Sequence, residues 1–151
     1  MTVSFCGHRD IKNRAAVEAW LGTVADYLIL LGCDIFLLGG SGAFDELAAT
    51  VLIKCRNAGA PIRVCLVAAY PDQKPVADYD EVIYPGIETV PPRFAIIRRN
   101  EWMVGASDIL AAYVEHSWGG AARMLEYAKR RQKTVILYPG VTPIGATVAS
   151  F

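Results

Sequence analysis

Three clusters of glycine and polar residues are the part of this sequence best suited to hold a ligand. They are Gly7-His8-Arg9, Gly39-Gly40-Ser41-Gly42 with Asp45, and His116-Ser117-Trp118-Gly119-Gly120. Glycine permits a positive φ and lets backbone N–H groups approach a ligand with no Cβ in between. A helix that follows such a turn adds unpaired N–H groups and the positive end of its dipole, which favour phosphate. We therefore expect a phosphorylated ligand at these turns, and the alternative is that the glycines serve only the geometry of tight strand-to-helix turns.

Charged and amide side chains form a second set of candidates. Asp45 falls in the first turn of a predicted helix, where a carboxylate either complements the helix dipole or accepts hydrogen bonds from ligand hydroxyls such as those of ribose. Arg93, Arg98, Arg99 and Asn100 share an arginine-rich helix. Since Arg98 and Arg99 point about 100° apart, only one of them is expected to face the ligand. A guanidinium suits phosphate in a bidentate way, and the alternative is a solvated helix face.

The aromatic side chains of these turns have more than one interpretation. A metal site needs more converging ligands than His8 and His116, so we expect no metal and no cofactor. Each histidine is able to donate a hydrogen bond or act as a general acid, but two histidines alone are not a catalytic constellation. Trp118 either stacks on a base or covers the end of the sheet.

Alternating apolar runs and helical patterns predict βαβ units and an α/β fold. Strands are predicted at Val3–Cys6, Cys33–Leu38, Ile62–Ala69, Ile109–Val114 and Thr134–Tyr138. Helices are predicted at Asn13–Leu31, at Asp45–Asn57, at Arg93–Gly105 and from Gly120 to about Arg131. The expected fold is a single-domain, Rossmann-like, doubly wound and mainly parallel sheet of about five strands with helices on both faces. The ligand site of such a sheet lies beyond the carboxyl ends of its strands, where all three clusters fall.

Two segments do not fit the alternation. Residues 70–90 are rich in proline, aspartate and tyrosine, with only Glu81–Tyr84 resembling a strand. They predict a long ordered excursion, and long loops in compact domains are usually functional. Residues 140–151 form a small apolar tail without a predicted element. Since no linker or repeat is present, we expect one domain over residues 1–151 with its core at about 1–139.

The composition excludes several classes of protein. The length of 151 residues fits one domain that buries a core without disulfides or metals. The apolar fraction of 54% is high, so we expect a sheet covered on both faces and apolar surface buried against a second subunit, and we favour a homodimer. The 15 basic and 15 acidic residues cancel, which leaves no global field to attract nucleic acid. No apolar run reaches the ~18 residues of a membrane span.

The cysteines and the N-terminus favour a cytoplasmic protein. Four cysteines without metal-ligand spacing are expected to be reduced core thiols. The N-terminal residues do not form a signal peptide.

The glycine turns match neither a GxGxxG dinucleotide fingerprint nor a Walker A motif, which argues against classical NAD binding and ATP hydrolysis.

Several longer motifs run along most of the chain. They are GHR at residues 7–9, GGSGAFD at 39–45, a YD…IYP segment at 79–85, P-x-R-F-A-x-x-x-R-N at 91–100 and H-x-W-G-G-A at 116–121. Together they resemble the SLOG group of Rossmann-like proteins, which includes the LOG phosphoribohydrolases and the DNA-processing protein DprA. The resemblance is strongest to small bacterial members of that group whose functions are not established. It implies a Rossmann-like fold that binds a nucleotide or nucleotide derivative, a phosphorylated ribose-containing ligand, as a sensor or regulator.

The resemblance also implies two alternative functions. In a LOG-like phosphoribohydrolase, which cleaves an N-glycosidic bond, the catalytic arginine and glutamate would fall on Arg99 and Glu126. Asn100 and Trp118, however, replace the lysine and the proline of the LOG motifs. In a DprA-like single-stranded DNA-binding protein, Gly42 and Glu101 replace two arginines. Loss of two cations weakens a groove that tracks phosphates, so nucleic acid is the less favoured partner.

Overall fold

The computed structural model describes residues 1–139 and the backbone of one further strand at 148–149. Its strands are β1 (Thr2–Gly7), β2 (Ile35–Leu38), β3 (Arg63–Val67), β4 (Glu81–Ile83), β5 (Ile109–Tyr113), β6 (Thr134–Leu137) and β7 (Val148–Ala149). Its helices are α1 (Arg14–Leu30), α2 (Ala43–Asn57), α3 (Ala95–Ala106) and α4 (Gly120–Arg130), with a short 3₁₀ turn (Pro92–Phe94) before α3. Apart from β7, the predicted tail at 140–151 lies outside the described residues.

The strands form one sheet in the order β4-β3-β2-β1-β5-β6-β7, and every described pairing is parallel. The chain winds outward from β1 in one direction and from β5 in the other, so the topological switch point lies between these neighbours. The predicted α/β, doubly wound, parallel fold is confirmed. The described sheet has seven strands, whereas about five were predicted. The two strands that were not counted are the short ones, β4 with three residues and β7 with two.

Alternating residues of each strand supply the core on the two faces of the sheet. Phe5 and Phe36 pack with α1 and α2 on one face. Cys6 and Leu37, the next residues along the same strands, pack with α3 and α4 on the other face. Burial of each large apolar side chain contributes roughly 1.5–3 kcal/mol. The two covered faces therefore hold the carboxyl ends of β1, β2 and β5 rigidly at one edge.

The excursion between β3 and α3 is ordered and tied to that edge. The side chain of Gln73 accepts a hydrogen bond from the N–H of Ala69 at 2.9 Å and donates one to the carbonyl of Gly39 at 3.0 Å. The hydroxyl of Tyr70 donates to the carbonyl of Pro92 at 3.1 Å. These bonds connect the end of β2 with both ends of the excursion.

The four cysteines are free thiols, and Cys6, Cys33 and Cys65 are buried while Cys55 is partly buried. Burial raises the pKa of all four thiols, so each is protonated at neutral pH. Within the described residues, no helix is both long enough and apolar enough to cross a membrane.

Candidate functional site

The carboxyl ends of β1, β2 and β5 open into one cleft of about 690 Å³. This position is the one expected for the ligand site of a doubly wound sheet. Twelve of the residues predicted from the sequence line it: Gly7, His8, Arg9, Gly39, Ser41, Asp45, Arg99, Asn100, His116, Trp118, Gly119 and Gly120. In the part of the chain that the structure describes, no three His, Cys, Asp or Glu side chains are arranged to hold a metal ion.

Three charged residues at the cleft were missed by the sequence analysis. Asp10, Lys12 and Glu115 line it beside the clusters that were predicted. Asp10 and Lys12 continue the loop after β1, and Glu115 precedes His116. Their only sequence signal is this adjacency. A set of candidates that took in a few more residues of the loop after each strand would have included these three.

Four predicted residues do not line the cleft. Glu126 lines a neighbouring cavity of about 380 Å³ between α3 and α4, and its carboxylate accepts a hydrogen bond from Nζ of Lys129 at 3.0 Å. The guanidinium of Arg93 lies over the ring of Phe94, 4.8 Å from its centre. Gly40 and Gly42 belong to the turn after β2 and pack against protein atoms. The structure thus places Arg99 and Glu126, the catalytic pair implied by the resemblance, on different cavities.

The glycine turn after β2 is filled by the protein itself. A Cβ at Gly39 would lie 2.8 Å from Cζ of Arg99, and a Cβ at Gly42 would lie 2.7 Å from Cα of Arg9. A side chain at either position would clash with Arg99 or Arg9, so contacts within the chain are enough to require glycine there. The first turn of the following helix, α2, also carries Asp45 and Glu46. Negative charge at that position opposes the binding of phosphate there.

The glycine turn after β5 is open. Gly119 precedes α4 with φ at 92°, and the nearest atom to a Cβ built on it is Cε1 of His116 at 3.8 Å. Among the residues that the structure describes, no atom lies within 4 Å of a Cβ built on Gly120. The first turn of α4 has no acidic residue and no side-chain cap. Since the first N–H groups of a helix have no intrahelical partner, this end of α4 is suited to an anion.

Three aromatic rings form a stack along one side of the cleft. The rings of His8 and His116 lie 3.7 Å apart at 15°, and those of His116 and Trp118 lie 3.7 Å apart at 16°. Nε2 of His8 accepts the N–H of Glu115 at 2.8 Å, which requires a neutral ring. Burial, with His116 beside it, lowers the pKa of His8 and favours that form. Trp118 ends the stack with 69% of its surface exposed, so it offers a ring to a planar group.

Arg99 is buried and hydrogen-bonded to the protein. Its Nη1 donates to the carbonyls of Gly39 at 2.8 Å and Val67 at 2.9 Å, and its Nε donates to Oδ1 of Asn100 at 2.8 Å. The side chain is 2% exposed. Arg98 points to solvent and pairs with Glu101 at 3.5 Å. Arg99 therefore ties the ends of β2 and β3 to α3, a role that the sequence did not reveal.

Asp45 is the buried acid of the cleft. Its Oδ2 accepts the N–H of Ser41 at 2.9 Å, while its Oδ1 has no hydrogen-bond partner in the described structure. Burial raises the pKa of Asp45 to about 6, against the opposing effects of the Ser41 bond and the charge of Arg99. Because the net change in pKa is upward, the cost of burying the carboxylate exceeds what these two partners recover.

Comparison with known proteins supports the fold. No family model and no curated protein matches the chain. DprA from Streptococcus pneumoniae has 17% identity and a TM-score of 0.69, over 98% of this chain and 58% of that one. The Moco carrier protein from Chlamydomonas reinhardtii has 19% identity and a TM-score of 0.64, over 99% of this chain and 87% of that one. The single-stranded-DNA-binding DprA from Helicobacter pylori has 14% identity and a TM-score of 0.62, over 93% and 66%.

The chain has the fold of the SLOG group. The resemblance predicted from the motifs is confirmed at this level, since DprA and the Moco carrier protein both have this fold. At identities below 20%, the likeness shows the fold alone. The chain spans 58% and 66% of the length of the two DprA chains it matches.

The buried guanidinium of Arg99 leads to a prediction about the stability of this SLOG fold. Arg99→Ala should lower the free energy of unfolding by about 3 kcal/mol or more, because two carbonyls lose their donor and a cavity opens. Arg98→Ala, the exposed neighbour, should cost less than about 1 kcal/mol. Urea unfolding of both variants measures the difference. Equal losses would show that the bonds of Arg99 do not support the fold.

The raised pKa of Asp45 leads to a second prediction. Between the ordinary aspartate value of 3.8 and about 6, the folded state holds a proton that the unfolded state has released. This group therefore makes the fold less stable as the pH rises through that window. Asp45→Asn should remove this pH dependence. From pH 4 to pH 7.5, the free energy of unfolding of the variant should therefore rise by about 1–3 kcal/mol relative to that of the wild type. Urea unfolding at both values tests it, and identical pH dependence in the two proteins would contradict it.

Proposed function

We propose that this chain binds a nucleotide or nucleotide derivative, a phosphorylated ribose-containing ligand, in the switch-point cleft, and that it acts as a sensor or regulator. One observation carries the proposal: the turn from His116 to Gly120 presents an open helix N-terminus and an exposed stacked tryptophan together. Phosphate and a planar base need these two features. The cleft volume of about 690 Å³ lies in the range of small-molecule sites.

The phosphate is assigned to the start of α4. Among the described residues, no atom lies within 4 Å of a Cβ built on Gly120, and no acidic side chain lies in the first turn. Arg9 and Lys12 lie at the same cleft and add positive charge, and Asp10 and Glu115 add an equal formal negative charge. Backbone donors and the helix dipole thus supply the attraction.

The base is assigned to the exposed ring of Trp118. Stacking of a base on an aromatic side chain contributes about 1–3 kcal/mol. The ring of Trp118 is already held by His116, which in turn stacks on His8. Because the ring is ordered before the ligand arrives, less conformational entropy is lost on binding.

The geometry supports binding better than it supports hydrolysis. Arg99 uses three of its five N–H donors on protein groups, and Glu126 lines a different cavity and pairs with Lys129. A LOG-like reaction would require both at one substrate. Single-stranded DNA remains the alternative ligand, and the formal net charge of zero argues against it.

Thermal unfolding with and without ligands tests the proposal. AMP, ADP-ribose or ribose 5-phosphate should raise the Tm in proportion to the logarithm of its concentration, since a ligand of the folded state stabilises it. Gly120→Asp should abolish the shift because its carboxylate takes the place of the phosphate. The same carboxylate complements the dipole of α4, so the variant itself should fold normally.

Gly120→Ala is the matched control, because it adds a Cβ without a charge. It should keep a measurable part of the Tm shift. A shift that is equal in the wild type and in Gly120→Asp would contradict the assignment of the phosphate. No shift with any of the three compounds would contradict the proposed function, and a shift with an oligothymidylate alone would favour the nucleic-acid alternative.

A further inference from the structure

The cavity between α3 and α4, of about 380 Å³, adjoins the cleft. Asn100, Gly120 and Met124 line both spaces, so the two meet at the start of α4. Gly120 is the residue to which the phosphate is assigned under the proposed function. A ligand that extends beyond this phosphate therefore enters the second cavity.

The acidic residues of the second cavity are paired with bases that do not line it. The carboxylate of Glu101 pairs with Arg98 at 3.5 Å. The carboxylate of Glu126 pairs with Lys129 at 3.0 Å. Neither of these two bases lines the cavity. Because each acid is offset by its own partner, the two acids oppose an incoming anion only weakly.

Two exposed arginines of the same cavity have no acidic partner. Arg123 and Arg130 line it from α4, and within residues 1–139 neither of them forms an ion pair. They lie about two helical turns apart, so they share one face of α4. The guanidinium of Arg130 lies 5.7 Å from the centre of the Tyr127 ring, a contact that uses none of its N–H donors. Two unpaired guanidinium groups on one face favour an anion with several oxygens.

The spacing along α4 suits two phosphates that follow one another. A helix rises about 1.5 Å per residue, which puts Arg123 about 4.5 Å from Gly120 along the axis. Helical side chains lean towards the N-terminus, so the side chain of Arg123 extends towards the junction of the two cavities. Asn100 lines both cavities at this junction, and its Oδ1 accepts a bond from Arg99, which leaves its NH₂ group to donate.

We propose that the cavity between α3 and α4 is a subsite for a second phosphate, bound by Arg123 and Arg130, so that the chain takes nucleoside diphosphates and their derivatives in preference to monophosphates. The proposal rests on the proposed function, because it places the second phosphate beside the first. A monophosphate leaves both guanidinium groups without an anion, whereas a diphosphate supplies one.

Isothermal titration of the purified chain with AMP and ADP tests the proposal, at low ionic strength because salt screens exposed charges. The wild type should bind ADP at least about tenfold more tightly than AMP, the gain expected for one hydrogen bond between charged groups. Arg123→Gln should lose most of this preference, and its combination with Arg130→Gln should bring the ratio of the two affinities close to one. Both side chains are exposed and glutamine is a good helix former, so these variants should fold normally.

Lys133→Gln is the matched control, because it removes one positive charge just beyond α4 from a residue that lines neither the cleft nor the second cavity. It should keep the full preference for ADP. Equal loss of preference in Lys133→Gln and Arg123→Gln would overturn the proposal, because net charge alone would then explain the effect.

Three further outcomes would overturn the proposal. Equal affinity of the wild type for AMP and ADP would do so and leave the proposed function standing. Full preference for ADP in the double variant would place the second phosphate elsewhere. If neither compound binds, the proposal fails, and the proposed function fails with it when ADP-ribose and ribose 5-phosphate also give no Tm shift.

Discussion

The site depends on the buried guanidinium of Arg99. It joins the carbonyl ends of β2 and β3 to α3, three elements that are brought together only by the fold. A buried cation is tolerated because three of its five N–H donors are paired with carbonyl and amide oxygens and because Asp45 lies near enough to attract it. The same arrangement leaves no room for a side chain at Gly39. The β2 side of the cleft is therefore held in place by bonds and contacts within the protein.

Under the proposed function, the ligand is therefore bound on the other side of the switch point. The turn between β5 and α4 has the glycines, the free helix end and the aromatic stack, and no described residue fills the space beside Gly120. The β2 turn contributes shape and one carboxylate. Two glycine turns of similar sequence at one sheet edge thus have different roles, since one is occupied by the protein and the other is open.

Much of this architecture could be predicted from the sequence, because long apolar strands alternate with helical periodicity and parallel topology brings the ends of the strands to one edge. The edge strand β7 escaped the strand count because two residues carry no reliable pattern, whereas β4 falls on Glu81–Tyr84, which resembles a strand in the sequence but was not counted as one. Which glycine turn is open depends on distant residues, since the space at Gly39 and Gly42 is taken by Arg99 and Arg9. The catalytic role of Glu126 was inferred from the resemblance to the LOG proteins. In the structure its side chain pairs with Lys129 and lines a second cavity.

The proposed function requires that the start of α4 and the ring of Trp118 receive the ligand. Titration of the ¹⁵N-labelled protein with AMP, followed by amide chemical shifts, tests it most directly. The largest changes should occur at the amides of Gly119 and Gly120 and at the indole N–H of Trp118, with small changes at Gly42. Largest changes at Gly42 and its neighbours, or around Glu126, would contradict the account, as would spectra that stay unchanged at millimolar AMP.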